Sequence, residues 1–212
     1  AAVFECSPVA DLGNKLEAAL QACVPGGRLT LESGVPISTS DQTAKTTIYY
    51  TPFVHNIVNL WDGSNWKPTT FAETSLALGT LTSGKPYDVF GYLSGGALAL
   101  ELLAWTDDST RATAVTIQDG RYCKSGDKTR LLLGTFYTAS TTTTEDSLRR
   151  RLVGNMYNQV PRRMYRVSGQ ASHSYASSSY RVWNNDSANS FDVCVPSPVA
   201  ASVSANCTVN NS

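Results

Sequence analysis

The run PYDVFGYLSGGALALELLAWT at residues 86–106 decides the fold. Successive side chains of an extended chain point to opposite sides. Tyr87, Val89 and Leu93 therefore share one face, with Gly91 between the last two. Ser94-Gly95-Gly96 reads as a turn. Beyond it Leu98, Leu100 and Leu102 alternate with Ala99, Glu101 and Leu103. Two period-two runs around a glycine turn predict a β-hairpin. Apolar residues on both faces at Leu102-Leu103 predict that the second strand is a central one, covered on both sides.

The same signature recurs on either side. Residues 28–34, RLTLESG, set Leu29 and Leu31 against Thr30 and Glu32. TTIYYTPF at 46–53 is strand-like until Pro52, which belongs at an edge or a strand end. IVNLWDGSNWKPTTF at 57–71 predicts a hairpin whose Asp62-Gly63-Ser64-Asn65 turn brings Trp61 and Trp66 onto adjacent strands. ATAVTIQDGRYCKSG at 112–126 predicts another around Asp119-Gly120, and TRLLLGTFYTAS at 129–140 a further strand. The whole is read as mainly β, an antiparallel β-sandwich or barrel-like module.

Two helices are expected. In residues 9–24, Leu12, Leu16, Ala19, Leu20 and Cys23 recur at three- and four-residue steps, Asp11 caps the start and Pro25-Gly26-Gly27 stops it. A short arginine-rich helix is expected over 144–157, between Thr144 and the breakers Gly154 and Pro161. The predicted organisation is an N-terminal helical attachment segment at 1–27, a main β domain at 28–164 and a smaller C-terminal β region at 165–212.

Composition narrows the class. Of 212 residues 42% are hydrophobic, enough for a core, while 16% are charged, against about 25% in ordinary domains. Lysine plus arginine equals aspartate plus glutamate at 17 each, so net charge points to no specific nucleic acid. The longest apolar run, 97–105, contains Glu101 and falls far short of the ~20 residues a spanning helix needs, so no membrane insertion is expected.

Catalytic and metal signatures are not evident. Ser94 does not sit in G-x-S-x-G, and the chain holds no H-E-x-x-H, Walker loop or dinucleotide fingerprint. With His55 and His173 the only histidines and no C-x-x-C, no metal site and no cofactor are predicted. Cys6, Cys23, Cys123, Cys194 and Cys207 read either as buried thiols or as disulfides, for which Cys6 with Cys23 and Cys194 with Cys207 are the local pairs. The turn residues Trp61, Asp62, Asn65 and Trp66 are the candidate contact for a sugar, although tryptophans flanking a turn more often pack on each other. Arg149, Arg150, Arg151, Arg162 and Arg163 form a candidate basic interface.

The ordered motifs TIYYTPF, LWDGSNW, SGKPYDVF, LALELLAWT, QDGRYCKSGDKTRLLLGTFYT, TTEDS and NMYNQVPRR resemble a family of tailed-bacteriophage and prophage virion proteins, some of which look like tail-fibre or particle-surface components. The resemblance spans roughly residues 28–163 and has no catalytic residues to carry over. It implies a non-enzymatic structural protein of the virion, tail-associated or a fibre, assembled with copies of itself as a trimer and with other virion proteins. Its exposed turns would meet a host surface glycan. The alternatives are a capsid decoration or head-fibre protein and, from another class, a glycan-depolymerase module.

Overall fold

The computed structural model describes residues 24–167 and 185–196, together with the single positions 13, 15, 16, 178, 179, 181, 182, 202 and 204. The helix expected over 9–24 therefore lies outside the described residues, apart from isolated positions. The architecture is mainly β, in several antiparallel sheets. In chain order the strands are β1 (Gly27–Thr30), β2 (Gln42–Lys45), β3 (Thr47–Pro52), β4 (Ile57–Trp61), β5 (Trp66–Thr70), β6 (Thr74–Ala77), β7 (Pro86–Ser94), β8 (Ala97–Ala104), β9 (Val115–Gln118), β10 (Arg121–Lys124), β11 (Asp127–Tyr137), β12 (Thr144–Asp146), β13 (Arg150–Arg151), β14 (Val153–Asn155) and β15 (Asp192–Val193).

The central sheet has the order β8-β7-β11-β10-β9, and β14 pairs with the second half of β11. The other sheets are β1-β3-β6, β4-β5 and β15-β13-β12-β2. The hairpins expected at 86–106, 57–71 and 112–126 are all present, as β7-β8, β4-β5 and β9-β10. The β7-β8 turn is closed by Gly95 and Gly96, both at positive φ (56° and 84°), the geometry a two-residue hairpin turn demands.

One core joins three of these sheets. Leu29 of β1, Ile48 and Tyr50 of β3, Val58 and Leu60 of β4, Val89 of β7 and Leu131 and Leu133 of β11 belong to a single buried cluster. A smaller cluster of Phe90, Leu132 and Met156, with Leu103, Val115 and Tyr122 packed against it, is assembled around alternate positions of β7 and β11.

That arrangement corrects the placement of β8. Its apolar character on two sides does not make it central. It is an edge strand of its sheet, and β7, β11 and β10 are the inner ones. Leu98 and Leu100 enter the main core while Leu103 packs on the second cluster. Two-sided apolarity reports layers above and below a strand, not neighbours on its left and right.

The expected helix at 144–157 is also corrected: the segment forms β12, β13 and β14. Thr144 and Asp146 pair with Lys45 and Gln42 of β2, and Arg151 pairs with Asp146. Threonine at 144 favours the extended chain. Gly154 permits a close crossing, since a Cβ there would stand 2.5 Å from Pro196 Cδ and 2.7 Å from the Cys194 carbonyl. Partners distant in sequence outweigh a local helix signal. Of the region beyond 165, β15 pairs in parallel with β13.

Two local devices set the relation between sheets. A bulge between Leu132 and Gly134 adds one residue to β11, so that Leu132 opposes Phe90 and Gly134 opposes Val89. Asn155 then bridges sheets with its side chain. Its Oδ1 accepts from Leu29 N at 2.6 Å and its Nδ2 donates to Leu29 O at 3.0 Å, as a neighbouring strand would. Asn158 Nδ2 donates to the carbonyls of Pro25 and Gly27 at 2.7 and 3.0 Å.

Gly134 has no room for a side chain, because an added Cβ would lie 2.2 Å from the Gly154 carbonyl oxygen. Gly134→Ala is expected to separate β11 from β14 and to lower the urea midpoint well beyond the ~1 kcal/mol of an average substitution. Thr116→Ala, at an exposed position of the edge strand β9, serves as the comparison. Equal midpoints for the two variants would refute the close crossing.

Candidate functional site

The aromatic turn is a junction between hairpins. Trp61 and Trp66 face each other across β4-β5 with ring centroids 5.5 Å apart in edge-on geometry. The Arg121 guanidinium lies 4.4 Å over the Trp66 ring, and Lys128 Nζ 4.6 Å over Trp61. Trp66 Nε1 donates to Asp119 Oδ2 at 3.1 Å, and Lys128 pairs with the same oxygen at 2.7 Å. Those two donors hold the Asp119 carboxyl below the usual carboxylate range. Asp62 Oδ1 accepts from Ser64 N and Asn65 N, which also depresses its pKa. Trp66 is buried. The sequence places a sugar contact here, whereas the rings and the Trp66 indole N–H are engaged by the neighbouring hairpin.

The arginines are dispersed among internal partners. Arg150 pairs with Asp192 at 2.9 Å and Glu145 at 3.5 Å. Arg151 and Arg162 each reach one oxygen of Asp146 at 3.0 Å. Arg149 donates to the Ser187 carbonyl at 3.4 Å, and Arg163 stacks 4.7 Å over Tyr165.

The described cysteines share one environment effect. Cys123 and Cys194 are free thiols, and burial pushes both up to about 12. Cys194 Sγ lies 3.7 Å from the Thr135 carbonyl. Cys6, Cys23 and Cys207 lie outside the described residues, as does His173. His55 Nδ1 accepts from Ile57 N at 3.2 Å, a local turn contact. Among the described residues no group of three or more metal-ligating side chains converges, and no helix is long and apolar enough to cross a membrane.

Two clefts border the C-terminal segment, and Val193, Cys194 and Val195 line both. The first, with a volume of about 510 Å³, is lined by the aromatic residues Trp105, Tyr137 and Phe191 and by Asp108, Arg150 and Asp192. That volume falls in the range of roughly 300–1,000 Å³ typical of small-ligand sites. Beneath it lies a buried ion pair. Asp88, 2% exposed, accepts from Arg111 Nε at 2.6 Å, from Arg111 Nη2 at 3.1 Å and from Thr135 Oγ1 at 2.7 Å. The Arg111 guanidinium also lies 4.4 Å over the Trp105 ring. Trp105 and Arg111 form a bridge closing the 106–110 loop, whose Asp107 accepts from Ser109 N and Thr110 N. The bulge in β11 makes the pair possible, because it places Thr135 opposite Asp88. Burial, followed by the Asp108 carboxylate, raises the Tyr137 phenol's pKa.

The second cleft, of about 350 Å³, contains Arg28, Asp146, Arg151, Asn155, Gln159 and Arg162. Sequence reasoning found neither cleft. Asp88 and Arg111 are 23 positions apart, and Arg28 lies 118 or more residues from its cleft partners. The alternation of β7 is the one signal available, since it puts Asp88 opposite in phase to Val89.

Two outcomes test these environments. Arg111→Met leaves a buried carboxylate unpaired and is expected to cost about 3–5 kcal/mol, while Asp88→Asn combined with Arg111→Met costs less than the sum of the single changes. Urea unfolding of all four proteins measures the coupling, and strict additivity would contradict the pair. The thiols of Cys123 and Cys194 ionise near 9 when unfolded and near 12 when folded, so the folded chain holds those protons longer. Their contribution to stability is complete below pH 9 and is lost as pH rises toward 12. Thiol titration at pH 8 is expected to modify both only after denaturant is added.

Comparison with family models, with curated proteins and with solved structures finds no match to this chain.

Proposed function

We propose that this chain is a non-enzymatic structural component of a tailed-phage virion, tail-associated or part of a fibre, and that it assembles with copies of itself as a sandwich-like module. The ordered motifs of residues 28–163 support the virion class. The structural observation that carries the assembly reading is where the apolar side chains lie. Ile117 on the edge strand β9 is 62% exposed, and Val54, two residues beyond β3, is 65% exposed. Several charged groups, in contrast, pair within the chain: Asp88 with Arg111, Glu101 with Arg130, Asp119 with Lys128 and Asp146 with two arginines. A chain that leaves large apolar side chains exposed at sheet edges and loops is suited to burial in a larger particle.

Host-surface binding belongs on this reading to the first cleft. A hydroxylated ligand such as a glycan presents C–H faces that pack on aromatic rings and hydroxyls that pair with carboxylates. Tyr137 and Phe191 beside Asp108 and Asp192 supply both chemistries.

Antibody labelling of intact particles is expected to mark the tail or its fibres; labelling on the capsid shell would make this a decoration or head-fibre protein instead. Incubation with host polysaccharide is expected to show binding without release of reducing ends, and binding is expected to weaken about tenfold in Phe191→Ser. Released reducing ends would establish a depolymerase and overturn the non-enzymatic reading.

A further inference from the structure

The second cleft has a charge imbalance that the described residues do not resolve among themselves. Arg28, Arg151 and Arg162 line it with Asp146. Asp146 is already shared, one oxygen to Arg151 and the other to Arg162, each at 3.0 Å. Among the described residues, Arg28 has no carboxylate within ion-pairing distance. It is 4% exposed, and its hydrogen bonds run to neutral carbonyls, from Nε to Pro36 O at 3.1 Å and from Nη1 to Asn158 O. Nη2 has no protein partner among the described residues. Desolvation, followed by repulsion from Arg162, pushes the Arg28 guanidinium down to about 10. A guanidinium seldom loses so much basicity, and the cause is a buried cation with too little negative charge near it.

The rest of the cleft is built to hold that cation in place. Arg28 precedes Leu29, whose backbone is clamped on both sides by Asn155. Arg151 is fixed by Nε and Nη2 donating to Arg163 O at 3.3 and 2.7 Å, and Arg162 by Nη2 donating to Ser38 O at 3.3 Å. Gln159 lines the same space, with its amide Nε2 donating to Asn155 O at 3.2 Å. Three anchored guanidiniums sharing one carboxylate leave a surplus of two positive charges in a space of about 350 Å³. The group that matches fixed guanidinium forks is a compact oxyanion with several acceptor oxygens.

We propose that the cleft between Arg28, Arg151 and Arg162 is an oxyanion site that takes a phosphate group. The group is either inorganic phosphate or the phosphate ester of a sugar or polyol, and the same three guanidiniums read both. The inference does not depend on where the protein sits in a particle or on the first cleft, so its failure would leave the virion reading standing, and the reverse also holds.

The test is calorimetric titration and thermal unfolding of the full chain with inorganic phosphate and, separately, with glycerol 1-phosphate, each against sodium chloride at matched ionic strength. Saturable binding of at least one, with an accompanying rise in Tm, is expected. Binding of inorganic phosphate alone identifies a free ion as the ligand, and tighter binding of the ester identifies a phosphorylated glycan or polyol. Arg162→Gln is expected to weaken binding tenfold or more, the loss of one charge-assisted hydrogen bond. Arg28→Met is expected to do the same, with Arg28→Lys partly restoring affinity. Should the Arg28 variants not fold, the partly exposed Arg162 carries the test alone. Arg163→Gln, whose side chain stacks on Tyr165 outside the cleft, is expected to bind like the parent. Equal responses to phosphate and chloride, or a phosphate response that survives Arg162→Gln unchanged, would overturn the proposal.

Discussion

The two hydrogen bonds from the Asn155 side chain to the backbone of Leu29 hold the rest of the structure in register. A carboxamide is the shortest side chain that offers one donor and one acceptor in a plane, so it can substitute for a strand residue. Asn155 sits on β14, which is paired to β11, and Leu29 sits on β1, which is paired to β3. That one side chain therefore couples the central sheet to the sheet opposite it at a fully buried point. Leu29 enters the core as a consequence, and Arg28 is committed to the other side of β1, beside residues from the far end of the chain.

Charge placement follows from the same economy. The chain has few charged residues, and several of them tie distant elements together as ion pairs. Asp88 with Arg111 lies under an aromatic ring, and Asp119 ties two hairpin tips together through Lys128 and the Trp66 indole. In these pairs the ionic groups work as fasteners between elements. Arg28 is held differently, its guanidinium donating to backbone carbonyls.

The hairpins were legible in the sequence because their information is local. The period-two alternation of residues 87–103 and the glycines at 95 and 96 are a complete description of β7-β8. Edge and centre were not legible in β8, since burial on two faces and pairing on two edges leave similar traces. Residues 144–157 were read as a helix because the strand that captures them, β2, lies about a hundred positions earlier and announces nothing in the local pattern. The clefts were invisible for a related reason. Arg28 reads as the polar flank of a strand until Asp146 and Arg162 arrive from the other end of the chain. The Trp61-Trp66 turn was visible as an aromatic pair, but not that Arg121 and Lys128 would lie over its rings.

The extra residue at Leu133 has a consequence for how this chain can change over time. The bulge shifts the phase of β11 so that Leu131, Leu133 and Phe136 all enter the core while Thr135 stays opposite Asp88. Removing a single residue between Leu131 and Gly134 would leave every later side chain of the strand on the wrong side. Drift by insertion or deletion is thus barred from β11, yet the same event at the tip of the 106–110 loop would only change its length. Lineages descended from this sequence should vary freely in the lengths of their loops while the residue count from Leu131 to Phe136 stays constant.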